Sequence, residues 1–226
     1  MTAASTAPGV QWVRVDSPGL RRVGAGLLIE FCATLAQMGC TLFFVVFVQF
    51  LAREMIRGGM SVEVAQAMVY FLMGIILLAT ALRIVGMLLC LAVPEESGAK
   101  GLIIVAVVLM LCAVAIDLST LVVRTEAAVQ FVSRLLGLLG WIFFILFLRK
   151  TSHFIGRADL AAQAGSLLGM VAALVALAVV LGVVAALQIG VPGLLLILAL
   201  LLIVLGISLL IRYLVLIHRL RVALRP

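Results

Sequence analysis

The sequence predicts an all-α fold, a polytopic integral membrane bundle of six transmembrane helices with the N- and C-termini both on the cytoplasmic side. Three observations carry this prediction. Of the 226 residues, 66% are apolar and only 11% charged, whereas a soluble domain is about 25% charged. Mean hydropathy is +1.41. Apolar runs of about 20 residues, each long enough to cross a hydrocarbon core of about 30 Å, recur along the whole length. A soluble globular fold is therefore excluded, and the segments outside the spans are too short for a separate soluble domain.

The elements follow in order. Residues 1–22 form a cytoplasmic leader, in which Ser17 supplies an N-cap and Pro18 a first helical position that needs no N–H. Span one covers residues 23–51. Its place after Arg21-Arg22 gives it the outline of a secretory or twin-arginine signal, but it is too long for an h-region and contains Glu30 and Gln37. Without a small-x-small cleavage site it reads as a retained span. Gly58-Gly59 breaks the helix, and Ser61 with Glu63 starts the next, an acid in the first turn complementing the helix dipole.

Span two covers residues 67–93 and stops at Pro94-Glu95-Glu96-Ser97-Gly98, the clearest turn in the chain. Spans three and four cover 101–123 and 127–148, with a hairpin near Arg124-Thr125-Glu126. No Gly or Pro marks that break, so a turn at Asp117-Leu118-Ser119 is the alternative. A basic connector, residues 149–159, leads to span five at 164–187. Gln188 to Gly193 forms a tight uncharged loop. Span six, 194–217, is almost pure Leu, Ile and Val until Arg212, and 218–226 is a basic cytoplasmic tail.

Charge sets the orientation. The formal charge is +7, but the basic residues sit at the ends of apolar runs and no mobile basic arm is present, so nucleic acid is not an expected partner. Six spans put Arg14, Arg21, Arg22, Lys100, Arg149, Lys150, Arg157, Arg219, Arg221 and Arg225 on one side, and only Arg53, Arg57 and Arg124 on the other. By the positive-inside rule the richer side is cytoplasmic, as in a bacterial-type inner membrane. Arg21, Arg22, Arg149, Lys150, Arg157, Arg219 and Arg221 are then candidates for contact with anionic lipid headgroups.

A charge at mid-membrane costs about 2.5 to 3.5 kcal/mol on insertion scales, so ionisable groups inside spans are expected to pair and to face the bundle interior. The candidates are Glu30, Arg83, Asp117 and Arg134. At a rise of about 1.5 Å per residue, Glu30 lies about 10 Å and Arg83 about 15 Å from the cytoplasmic end of their spans, a gap that an arginine side chain covers. An ion pair between them is expected. Asp117 and Arg134 come out at about 24 and 21 Å, candidates for a second pair. The alternative has Asp117 capping a helix and Arg134 snorkelling.

Glu30, Thr34, Gln37 and Thr41 form one narrow stripe on span one, expected to face inward as interhelical hydrogen-bonding glue or as a hydrated path. Gln130, Arg134, Gly137 and Trp141 form a similar row on span four, read as packing with a close helix approach at Gly137. Span five carries small residues at Gly165, Gly169, Ala172, Ala173 and Ala176, including a Gly-x-x-x-Gly. This is a helix-packing surface for another span or for a second subunit. The connector at 149–159, with Phe154 and Ile155 among its basic residues, suits either a membrane surface or a solvated loop.

Little chemistry remains. Cys32, Cys40, Cys90 and Cys112 lie in apolar runs without Cys-x-x-Cys spacing and read as packing residues. His153 and His218 lie at membrane edges, which does not suggest a haem ligand. The chain has no His-Glu-x-x-His, no Gly-x-Ser-x-Gly and no phosphate loop, so no enzyme activity, metal or cofactor is expected. The expected function is a non-enzymatic membrane module that binds a membrane partner protein or assembles as a homo-oligomer. The alternative is passage of protons, ions or a small solute past Glu30, Gln37 and Arg83.

Overall fold

The computed structural model describes residues 18–56, 61–122, 127–186 and 192–224. These residues form six α-helices: α1 (Pro18–Ile56), α2 (Val62–Cys90), α3 (Lys100–Val122), α4 (Ala127–Phe154), α5 (Ala158–Ala186) and α6 (Pro192–Ala223). Each contains a stretch long and apolar enough to cross a membrane. No strand occurs among the described residues. The protein is an all-helical, multi-pass membrane bundle.

Local sequence explains where the helices begin and end. Pro18 opens α1, as its lack of an N–H allows. Ser61 caps α2 by accepting a hydrogen bond from the Val64 N–H, with Glu63 in the first turn. After Cys90 the chain leaves α2 through Pro94 and a single 3-10 turn, Glu95–Ser97. Gly98 follows in the left-handed region at φ 59°, which a side chain would strain. The Ser97 hydroxyl donates to the Pro94 carbonyl and accepts from the Ala99 N–H, which fixes the turn.

Helix α3 runs through Asp117 to Val122, so no turn falls at 117–119. The hairpin expected at 124–126, the Gly58-Gly59 break and most of the loop after span five lie outside the described residues. The expected connector at 149–159 and the expected tail are largely helical instead. Helix α4 continues through Arg149 and Lys150 to Phe154, and only Ile155 to Arg157, with Gly156 at φ 74°, separates it from α5. Helix α6 likewise continues to Ala223 through most of the expected tail. A helix that meets headgroups and water need not stop, because Arg and Lys are good helix formers.

Consecutive helices pack side by side, and α1 against α6 closes the series into a ring. One end is tight. Here α1 starts, α6 ends and the α2–α3 turn sits, and a Cβ added at Gly19 would collide with the Ala92 carbonyl. Leu20, Val23, Leu27, Met87, Phe144 and Phe147 are completely buried at this end. Apolar side chains gain little by leaving lipid for protein, so close packing of atoms must hold the helices together. Glycine makes it close: a Cβ at Gly26 on α1 would lie 2.5 Å from the Gly86 carbonyl oxygen of α2, and one at Gly140 on α4 would lie 2.9 Å from Met110 of α3.

The close approaches differ from those expected. A Cβ on Gly137 would meet only Ala113, at 3.9 Å, so the tight α3–α4 contact is one turn further on, at Gly140. Around Gly165 and Gly169 nothing stands within 4 Å of an added Cβ, and Ala172, Ala173 and Ala176 are exposed. Helix α5 faces the bundle with Leu160, Ala161, Ala164, Leu167 and Val171 instead. Both faces are apolar, and in lipid the bulkier one makes more contacts. Of the cysteines only Cys90 is buried; Cys32 and Cys112 face outward.

Candidate functional site

The site begins with Glu30, the one charged residue that is completely buried among the described residues. It lies in α1 one turn beyond Gly26. A Cβ on Gly86 would come within 3.0 Å of the Glu30 backbone nitrogen, so the α1–α2 crossing sits at the level of the carboxylate. This crossing brings Arg83, one turn earlier on α2, beside it.

The Glu30 Oε1 atom accepts hydrogen bonds from three side chains. Arg83 Nε donates from α2 at 3.1 Å. The Tyr213 hydroxyl donates from α6 at 2.9 Å. Thr34, one turn along α1, adds a weaker contact at 3.4 Å. The second oxygen, Oε2, is buried and makes no hydrogen bond. Arg83 also reaches along α1, donating from Nη1 to Gln37 Oε1 at 3.2 Å. Carboxylate, guanidinium, phenol and amide thus join three helices, and a charge-assisted hydrogen bond ranks among the stronger links available in lipid.

Tyr213 is held from its other side by Trp141 of α4, the two rings meeting edge to face with centroids 5.3 Å apart. Trp141 therefore packs inside the bundle. The sequence marks no candidate on span six, where Tyr213 is completely buried and its neighbour Arg212 is exposed. A signal was present: Tyr213 is the only Tyr, Trp or Phe in α6, and a phenol in lipid needs a partner.

Beyond this cluster, away from the tight end, the bundle opens into a cavity of about 640 Å³. Its floor is polar, with Thr34, Gln37, Arg83 and Tyr213; its walls are mostly apolar, with Met38, Leu42, Met110 and Leu210 beside Thr41. The stripe on α1 rises out of the packed interior into this space. Glu30 and Thr34 are buried, Gln37 is half-buried, and Thr41 is exposed on the cavity wall, its hydroxyl returned to the Gln37 carbonyl. Arg83 shows 15% of its side chain and Glu30 none.

A second cavity of about 370 Å³ adjoins the first at Gln37, which lines both. Thr80, Asp117, Gln130 and Arg134 supply its polar groups. Asp117 and Arg134 share this space without an ion pair between them. Asp117 Oδ1 lies 2.5 Å from the Ser133 hydroxyl, which also approaches the Ala113 carbonyl at 3.1 Å. Ser133, buried and not anticipated from the sequence, thus occupies the place expected of Arg134, whose own side chain is exposed.

The remaining candidates gather elsewhere. Arg21, Arg22, Arg149, Lys150, Arg157 and Arg219 are exposed and Arg221 half-exposed, all at the tight end. Arg157 pairs with Asp159 at 3.2 Å. Lys100 pairs with Glu95 in the α2–α3 turn, and this hydrogen bond, with the ammonium charge behind it, holds the Glu95 carboxyl below its usual range. The outward small-residue face of α5 lies apart from both cavities.

The chain matches no family model, and no curated protein or solved structure is significantly similar to it.

Proposed function

We propose that this chain is a non-enzymatic multi-pass membrane protein whose open half receives a partner from within the bilayer, a binding or self-assembling module. One observation carries the reading: the two halves of the bundle are packed unequally. Leu20, Val23, Leu27, Met87, Phe144 and Phe147 close one half, while the other holds a cavity of about 640 Å³, within the range of about 300–1,000 Å³ for sites that receive small molecules. Glu30 has no surface in the cavity, which argues against its acting on a molecule bound there. For self-assembly, the outward face of Gly165 and Gly169 on α5 is the surface we favour.

The reading takes Glu30 and Arg83 as an intramembrane ion pair, which makes the cluster neutral and limits its cost in lipid. It places the tight, basic end in the cytoplasm of a bacterial-type cell, beside anionic headgroups. Purification in mild detergent is expected to give a defined oligomer or a retained partner. A lone monomer with nothing bound would contradict the proposal.

Passage of protons, ions or a solute is the second reading, favoured by the polar column from Thr41 through Gln37 and Arg83 to Glu30. It meets an obstacle. From Glu30 to Leu20, about 15 Å at the helical rise, the route is filled by close-packed apolar side chains. Proteoliposomes are expected to stay tight to protons at every pH; flux abolished by Glu30→Gln would favour passage instead.

A further inference from the structure

The polar floor of the larger cavity has an excess of hydrogen-bond donors. Of the five guanidinium N–H groups of Arg83, the one on Nε is taken by Glu30 and one of the two on Nη1 by Gln37. Beyond these two acceptors the guanidinium has only the neighbouring Tyr213 hydroxyl as a partner among the described residues. The side-chain Oε1 of Gln37 is occupied by Arg83, which leaves the amide NH2 of Gln37, a residue that lines both cavities, without an acceptor among the described residues. Guanidinium and amide donors gain most from an acceptor that is charged or strongly polar.

Charge points the same way. Glu30 and Arg83 are equal and opposite, but the carboxylate is sealed while 15% of the arginine side chain is open. A molecule in the cavity therefore meets the cation directly and the anion only through it. Around that cation the walls are apolar, formed by Met38 and Leu42 of α1, Met110 of α3 and Leu210 of α6. Apolar walls over a few convergent polar groups are the common form of a small-molecule site.

We infer that the cavity binds a single-chain amphiphile with an anionic oxygen head, a carboxylate or a phosphate monoester, the head against Arg83 and Gln37 and the chain along Met38, Leu42 and Leu210. This rests on the reading of the open half as a receiving site and names what it receives. The outward face of α5 offers small residues alone and specifies no ligand. The smaller cavity sets Asp117 beside Arg134 and so presents both signs of charge.

The test uses the full chain in nanodiscs of phosphatidylcholine, with radiolabelled palmitate, 1-palmitoyl-lysophosphatidate and hexadecanol as probes and inorganic phosphate as competitor. Saturable binding of palmitate or lysophosphatidate, at least ten-fold tighter than hexadecanol, is expected, the stronger of the two naming the head group. Gly137, which lines the cavity, provides a variant that should fold: an added Cβ there would meet only Ala113, at 3.9 Å. Gly137→Leu should weaken binding at least ten-fold while melting no lower than the parent. Gly39→Leu, on an outward face with nothing within 4 Å of the added carbon, should bind as the parent does. Should Gly137→Leu not fold, Leu42→Trp at the cavity wall serves the same purpose.

Equal binding of hexadecanol would overturn the inference and leave the receiving site standing. Inorganic phosphate competing at the amphiphile's own concentration would also overturn it, because the apolar walls would then contribute nothing. No saturable binding of any probe, with parent and Gly137→Leu alike, and no retained partner would remove both the inference and the reading beneath it.

Discussion

Tyr213, near the end of the last helix, donates its hydroxyl hydrogen to Glu30, in the first helix, at 2.9 Å, across 183 positions of sequence. With Arg83 on the same carboxylate oxygen, this contact ties α6 and α2 to α1 at one level. Trp141 backs the phenol from α4. A buried polar group in lipid is costly when unpaired, so each member constrains where the others can sit.

Tyr213→Phe removes the hydroxyl and keeps the ring against Trp141. Reversible unfolding in mixed micelles is expected to show a loss of about 1.5 kcal/mol, between the average for interhelical hydrogen bonds in membranes and the value for bonds to a charged acceptor. Tyr213→Leu should cost more, because the edge-to-face contact also goes. Equal stability of Tyr213→Phe and the parent would show that the hydroxyl does not reach Glu30.

The α1–α2 crossing depends on the absence of side chains at Gly26 and Gly86. Gly26→Val would set its Cβ against the Gly86 carbonyl, so the helices must part, and a loss above about 3 kcal/mol is expected from the strain and lost packing. Gly74→Ala, with open space around it, should be neutral or stabilising by up to about 1 kcal/mol. Thermal melts of the two variants compare them directly.

For α5 the expectation is different in kind. An added Cβ at Gly165 or Gly169 has nothing within 4 Å among the described residues, so the melting temperature of the Gly165→Ile or Gly169→Ile monomer should not fall. If this face joins two copies, the oligomer seen by native mass spectrometry should weaken. An unchanged oligomer would assign the face to lipid.

The α2–α3 turn gives a titration test outside the membrane. Lys100 hydrogen-bonds the Glu95 carboxylate and holds its pKa below the ordinary range. With the folded value depressed, the stabilising effect is present above the ordinary glutamate pKa and disappears as pH falls through the folded value. In carbon-13 NMR, Lys100→Met should return Glu95 to the ordinary value; an unchanged titration would show that the two do not interact.

Much of this fold was legible because a bilayer restricts the choices. Length and apolarity locate spans, and a fixed rise per residue converts sequence position to depth, which brings Glu30 within an arginine's reach of Arg83. Depth alone leaves Asp117 and Arg134 open between a pair and separate roles. It says nothing of rotation about the helix axis, and Ser133, one residue before Arg134, holds the inward position. Tyr213 stands beside Arg212 in an otherwise aliphatic helix, and sequence position does not say which of the two faces inward. The packing face of α5 was illegible for a related reason: both of its faces are apolar, so composition gives no inside or outside. The cavity was illegible because side chains from several helices enclose it.

The central claim is that Glu30 and Arg83 meet inside the membrane and hold α1 to α2, and a double-mutant cycle tests it most directly. Glu30→Ala and Arg83→Ala should each cost about 3–5 kcal/mol in unfolding free energy, because each leaves a charge without its partner. The double variant should then lose less than the sum by at least about 1 kcal/mol. Losses that simply add would mean that the two side chains do not meet, and would contradict the account.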